Sequence, residues 1–146
     1  MILAVGGWDN ALGWHRKAET LDLISGNITE IASFPFGTSI RHAPVVALSD
    51  VFYIFGGVNE AGPVSRIVAL ISGSTWVNMG VLNMPRNAHN ALWTGRQFMV
   101  IGGEGDYAIE MCNEVNGQMT CEDKQPILSQ YSRYPEVFLV RAEFCQ

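Results

Sequence analysis

The stretch Val51-Phe52-Tyr53-Ile54-Phe55-Gly56-Gly57 decides how this sequence is read. A short run of β-branched and aromatic residues closed by two glycines predicts a strand that ends in a sharp turn. The same arrangement recurs at Ile2 to Val5 before Gly6-Gly7 and at Phe98 to Ile101 before Gly102-Gly103, with the glycine pairs 50 and 46 residues apart. A second marker keeps step with the first. Ile24-Ser25-Gly26, Ile71-Ser72-Gly73 and Val115-Asn116-Gly117 follow one another at spacings of 47 and 44. Two independent markers with one period are the signature of a repeat architecture, and that outranks any local assignment.

Between the markers lie brief runs rich in Val, Ile, Phe and Trp, broken by Ser49-Asp50, Thr94-Gly95, Ser72-Gly73 and Asn116-Gly117. These read as antiparallel strands joined by tight turns, and no segment keeps a helical period. The expected strands are Ile2 to Val5, Glu19 to Ile24, Ile28 to Phe34, Ala43 to Leu48, Val51 to Phe55, Arg66 to Ile71, Thr75 to Met79, Ala88 to Trp93, Gln97 to Ile101, Ala108 to Asn113, Met119 to Glu122 and Glu136 to Val140. Twelve strands make three sheets of four. Such a sheet cannot bury both faces alone, and each aliphatic or aromatic side chain buried between neighbours contributes about 1.5–3 kcal/mol. Radial stacking of the sheets gives a β-propeller.

An apolar strand ending in Gly-Gly, then Trp76, then Met84-Pro85-Arg86-Asn87-Ala88-His89, resembles the Kelch repeat. The best copy runs from Val51 to Gly103, and weaker copies flank it across residues 1–146, leaving 141–146 as an exit segment. The resemblance implies an all-β chain of about three four-stranded blades. Gly6, Gly7, Gly56, Gly57, Gly102 and Gly103 would be structural glycines at the end of each second strand, where the absence of Cβ permits positive φ and close passage of the backbone. It also implies that Arg86 and His89 hydrogen-bond a neighbouring blade rather than ligate a metal. The third copy carries Met119-Thr120-Cys121 where the second carries Thr75-Trp76-Val77. It therefore lacks the aromatic that wedges between blades and needs another fastener.

Cys112 and Cys121 lie symmetrically about Asn116-Gly117, a two-residue hairpin signal of the type I′ kind. Counting outward pairs 115 with 118, 114 with 119, 113 with 120 and 112 with 121. The last is a non-hydrogen-bonded pair with Cα atoms about 4.5 Å apart, within disulfide reach. A bridge there is the expectation, and two reduced cysteines in a cytosolic sheet are the alternative. A disulfide implies an oxidising compartment, and Asn27-Ile28-Thr29 is an N-glycosylation sequon on the matching turn of the first repeat. Together they predict an extracellular or luminal glycoprotein, with a cytoplasmic location as the alternative. Cys145 is the odd cysteine, available to another domain or a second chain, or free.

With 48% hydrophobic and 16% charged residues, the chain is too apolar for disorder. A net charge of -5 without a Lys/Arg cluster argues against nucleic acid and anionic lipid as partners. No apolar run approaches the ~20 residues of a membrane helix. Met1 to Gly7 lacks a basic leader, so an export signal is expected upstream.

Catalytic signatures are few. His15, His42 and His89 form no HxH or HExxH spacing, and His42 and His89 are taken as equivalent places in successive repeats. There is no G-x-S-x-G elbow and no phosphate loop. Gly73-Ser74-Thr75-Trp76 matches only the tail of the sialidase Asp-box, with Ala69 and Ile71 where Ser and Asp belong. Tyr53, Tyr107, Tyr131 and Tyr134 do not suggest a galactose-oxidase-like copper site. No catalytic residue, metal or cofactor is assigned. Asp9, Glu60, Glu104 and Asp106 all follow glycine pairs, which predicts an acidic collar on one rim facing a basic or hydroxyl-rich ligand.

Three blades do not close a ring of about four to eight. The chain is expected either to be the closing part of a longer domain, with its partners including the missing blades, or to combine with a second copy as a six-bladed homodimer. The functional expectation is protein or ligand binding through blade-rim loops, and the alternative is a fragment of a carbohydrate-active propeller enzyme.

Overall fold

A computed structural model describes residues 1–35, 39–104 and 109–124. They are all β, with no helix among them. No helix among the described residues is long and apolar enough to cross a membrane.

Near the N-terminus, β1 (Ile2–Val5), β4 (Ala18–Leu21) and β5 (Ile28–Ile31) form a three-stranded antiparallel sheet in the order β1-β4-β5. Between β1 and β4 a small ribbon, β2 (Trp8–Asp9) with β3 (Gly13–Trp14), projects directly after Gly6-Gly7. The second repeat has the same plan. β6 (Val45–Leu48), β7 (Val51–Phe55), β10 (Arg66–Ile71) and β11 (Thr75–Val81) pair in that order, and the ribbon of β8 (Val58–Asn59) with β9 (Gly62–Pro63) follows Gly56-Gly57. In the third, β12 (Asn90–Trp93), β13 (Phe98–Ile101), β14 (Ile109–Val115) and β15 (Gln118–Lys124) pair consecutively.

The expectation of three separate sheets of four needs correction. The second and third repeats are joined by one parallel bridge, Gly80 to Met119, into a single eight-stranded mixed sheet. Its two end strands, β12 and β6, also touch, so the sheet nearly closes on itself. The lack of a side chain at Gly80 permits the join, because a Cβ there would lie 2.8 Å from the Met119 carbonyl oxygen. Eleven of the twelve expected strands overlap observed ones. The twelfth, 136–140, lies outside the described residues, as do Asp106, Tyr107, Tyr131, Tyr134 and Cys145.

The core lies between faces. One cluster joins Tyr53, Phe55, Ala69 and Met79 of the second repeat to Phe98, Val100, Cys112 and Met119 of the third. A smaller one sets Ile54 and Val68, on the opposite face of the second repeat, against Phe34, Ile40 and Val5. Apolar residues alternating along β7 thus serve two interfaces, which is why its sequence is a continuous hydrophobic run.

Candidate functional site at the loop rim

The first two glycine pairs stitch their own repeats to the segment leading into the next. The N–H of Gly7 donates to the Ile40 carbonyl and that of Gly57 to the Arg86 carbonyl, both at 2.8 Å. The first glycines donate in step to Lys17 and Arg66, and the carbonyls of Gly7 and Gly57 accept from His15 and Val64. The three pairs share a backbone conformation, with φ of 69° and 116°, 55° and 102°, 72° and 107°. Glycine is required most strictly at Gly6, where an added Cβ would overlap the Ile40 carbonyl oxygen, and Gly57 is also tightly held, since a Cβ there would meet the Ile40 Cδ1 at 2.6 Å, the Ala43 Cβ at 2.8 Å and the Arg41 oxygen at 2.9 Å.

These bonds align the repeats residue by residue. Ile40 matches Arg86 through the glycine N–H groups. Arg41 matches Asn87, whose carbonyls accept from Val58 and Glu104 respectively. His42, with φ 53°, then matches Ala88, with φ 55°, so His42 and His89 are not equivalent. The sequence spacing of 47 misled by one residue, because the second repeat advances by 46 at its glycines. The histidines occupy different settings. His15 contacts Asp9 through Nε2, His42 is exposed, and His89 is buried with neither ring nitrogen in a hydrogen bond among the described residues. Burial, reinforced by the Arg86 charge, pushes the His89 pKa down to about 3.

Among the described residues, the charged end of Arg86 reaches forward into the third repeat. Its Nη1 donates to the Gly102 carbonyl at 3.1 Å, and Nη2 to Glu110 at 2.8 Å, with both side chains fully buried. Glu110 also accepts from the backbone N–H of Asn83 at 2.7 Å and of Met84 at 3.4 Å. The pair therefore fixes the whole 83–86 lead-in against the third repeat.

Cys112 and Cys121 form the expected disulfide, at the expected register, with Asn116 and Gly117 both at positive φ as a type I′ turn requires. The register also refines which residue takes the tryptophan's place. Phe52, Leu70 and Trp76 lie in one cross-strand row, and Phe98, Cys112 and Cys121 lie in the matching row. Cys121, not Thr120, stands where Trp76 stands. Trp76 fastens its repeat to the preceding one through a 2.8 Å bond to the Ala32 carbonyl and an edge contact with Phe34. The sulfur and carboxylate atoms of Cys112, Cys121 and Glu110 lie within 4.8 Å of one another, but the disulfide and the Arg86 ion pair already engage them. Asn27 is exposed in the turn before β5.

Of the acidic residues after the glycine pairs, Asp9 and Glu60 lie on the two ribbons, and Asp9, Glu60 and Glu104 each have a local partner. Asp9 accepts from the N–H groups of Leu12 and Ala11 and contacts His15, which together hold its carboxyl below the usual range, the Leu12 bond most of all. Glu60 is lowered by its own backbone N–H and by the hydroxyl of buried Ser39. Glu104 accepts from Asn87. These three acids of the expected collar are thus tied to their own loops. Tyr53, a candidate only in the copper reading, is a core residue whose hydroxyl donates to Glu114, and burial raises its pKa to about 12. Ser74 and Thr75 of the half Asp-box serve the β10–β11 hairpin.

One rim feature escaped the sequence reading. Arg41 lies over the Trp14 ring, 4.4 Å from its centroid, with the Trp8 ring at 5.8 Å. Trp8 and Trp14 are cross-strand partners on one face of the β2–β3 ribbon, while strand alternation sends Asp9 and His15 to the other. Arg41 also borders a cleft of about 300 Å³ lined by Leu3, Val5, Val45 and Ile54. A scan against protein-family models matches none, and a search of curated proteins finds no significantly similar sequence. Residue roles therefore rest on geometry alone.

Proposed function

We propose that the chain is a segment of a Kelch-type β-propeller that binds a protein or other ligand through its rim loops, without catalysis, outside the cytosol. Three features support the propeller. The first repeat presents β1, β4 and β5 in the order of β7, β10 and β11, the rim ribbons follow equivalent glycine pairs, and the cores lie between faces of consecutive repeats. The disulfide is compatible with an extracellular location. The observation that carries the binding reading is the backbone stitching of each rim ribbon to the next repeat, because a rigid scaffold that holds variable loops is the usual ground for recognition.

The test is an immobilised array of glycans and peptides probed with the wild type and with a rim variant, Trp8→Ala combined with Glu60→Ala. Retention of particular ligands that falls at least tenfold in the variant, with no turnover of chromogenic glycosides, is expected. Retention indifferent to the rim substitutions, or glycoside turnover, would sink the proposal.

A further inference from the structure

We infer that Trp8, Trp14 and Arg41 form a binding site for a carboxylate-bearing sugar, an inference that rests on the rim-loop reading above. Trp8 is 47% exposed, with the Arg41 guanidinium carbon 5.8 Å from its ring centroid. Trp14 lies under the guanidinium and holds its plane by stacking. Arg41 has no carboxylate within ion-pair reach among the described residues, and its Nε is buried without a hydrogen-bond acceptor there.

Among the described residues Arg41 is thus a cation without a carboxylate partner, in a chain of net charge -5. The nearest candidate on the ribbon, Asp9, faces the other way and is engaged by His15 and two backbone N–H groups. A stacked arginine acting only as a fastener explains Trp14. It does not explain why a second indole stands half-exposed beside it. An acidic sugar suits both features, since its C–H face stacks on an indole while its carboxylate takes the guanidinium's paired donors. A carboxylate alone would use Arg41 and leave Trp8 idle, and a neutral sugar would use Trp8 and leave the charge unanswered.

The experiment is calorimetric titration of the oxidised protein with hexuronate trisaccharides of the galacto and gluco series, their neutral methyl esters, and triglutamate. Saturable binding of at least one acid, at least tenfold tighter than its ester and than triglutamate, is expected. Arg41→Lys should weaken it at least fivefold and Trp8→Ala at least tenfold, with the melting temperature of Trp8→Ala unchanged because that side chain lies at the surface. Equal binding of ester and acid, equal or tighter binding of triglutamate, indifference to Trp8→Ala, or no saturable binding overturns the inference. If that occurs while the array of the preceding section still shows rim-dependent retention, the sugar class alone is wrong. If rim dependence also fails there, the parent reading goes with it.

Discussion

Replacing Arg86 with methionine should cost this fold about 3–5 kcal/mol, the penalty for leaving one member of a buried ion pair without its partner. The structure sets the terms. Glu110 is fully buried and accepts from Arg86 Nη2 and from the N–H groups of Asn83 and Met84, so removing the guanidinium strands a carboxylate on two backbone donors, one of them distant at 3.4 Å. Glu110→Gln should also destabilise, because it removes the buried carboxylate that accepts from Arg86 Nη2. The combination Arg86→Met with Glu110→Gln removes both charges but retains an amide acceptor for Asn83, and the lost bond to the Gly102 carbonyl contributes only about 1 kcal/mol. The double variant should therefore be more stable than either single one. Urea unfolding of the oxidised protein followed by tryptophan fluorescence reads this directly. With a slope of ~2 kcal/mol per molar, the single variants shift the midpoint down by about 2 M and the double by less than 1 M. If the double variant is no more stable than the singles, the pair is not coupled and the reasoning is wrong.

Two further outcomes follow from the same geometry. Gly57→Ala should destabilise by about 2–4 kcal/mol, since positive φ and three contacts under 3.0 Å act together, whereas Gly7→Ala, with nothing within 4 Å among the described residues, should cost only the ~1–2 kcal/mol of its backbone conformation. Equal melting temperatures for the two variants would contradict the close packing at Gly57. His89 is held neutral in the fold with its pKa near 3, while the unfolded chain titrates near 6.5, so the unfolded state binds the extra proton and stability rises with pH across that window. Stability should fall by about 2 kcal/mol from pH 7 to pH 5 in the wild type, and His89→Leu should remove most of that slope, as measured by unfolding at both pH values.

The strands were legible because each is a run of four to seven residues between turn-forming pairs, and the glycine doublets fixed their phase. The disulfide was legible for the same reason, since a two-residue turn at Asn116-Gly117 dictates every pairing outward to Cys112 and Cys121. Two things were hidden. The ribbons β2–β3 and β8–β9 are two residues per strand, too short for alternation to show, and the Arg41 stack depends on a contact across 27 positions from Trp14 that no local pattern records. The equivalence of His42 with His89 failed because spacing counts insertions without saying where they fall, whereas the Gly57 and Glu104 bonds locate the repeat to the residue.

That alignment also shows the same structural requirement met by different chemistry. In the row Phe52, Leu70 and Trp76, an indole ties the strand outward to Ala32 and Phe34 of the preceding repeat. In the row Phe98, Cys112 and Cys121, the tie is covalent and runs within the hairpin, so the hold on the preceding repeat must come from elsewhere. It comes from Asn83, whose side-chain amide donates to the Cys121 carbonyl and to Asp123, and from the Glu110 carboxylate that holds Asn83 and Met84 by their backbones. The 83–86 segment thus does for the third repeat what Trp76 does for the second. Because its Arg86 carbonyl is also the acceptor for Gly57, it links that fastening to the base of the β8–β9 ribbon. A variant that loosens the Arg86–Glu110 pair should therefore raise amide exchange at Gly57 and Val64 before it unfolds the sheets, and exchange that rises uniformly across the chain would show that rim and core are not joined through this segment.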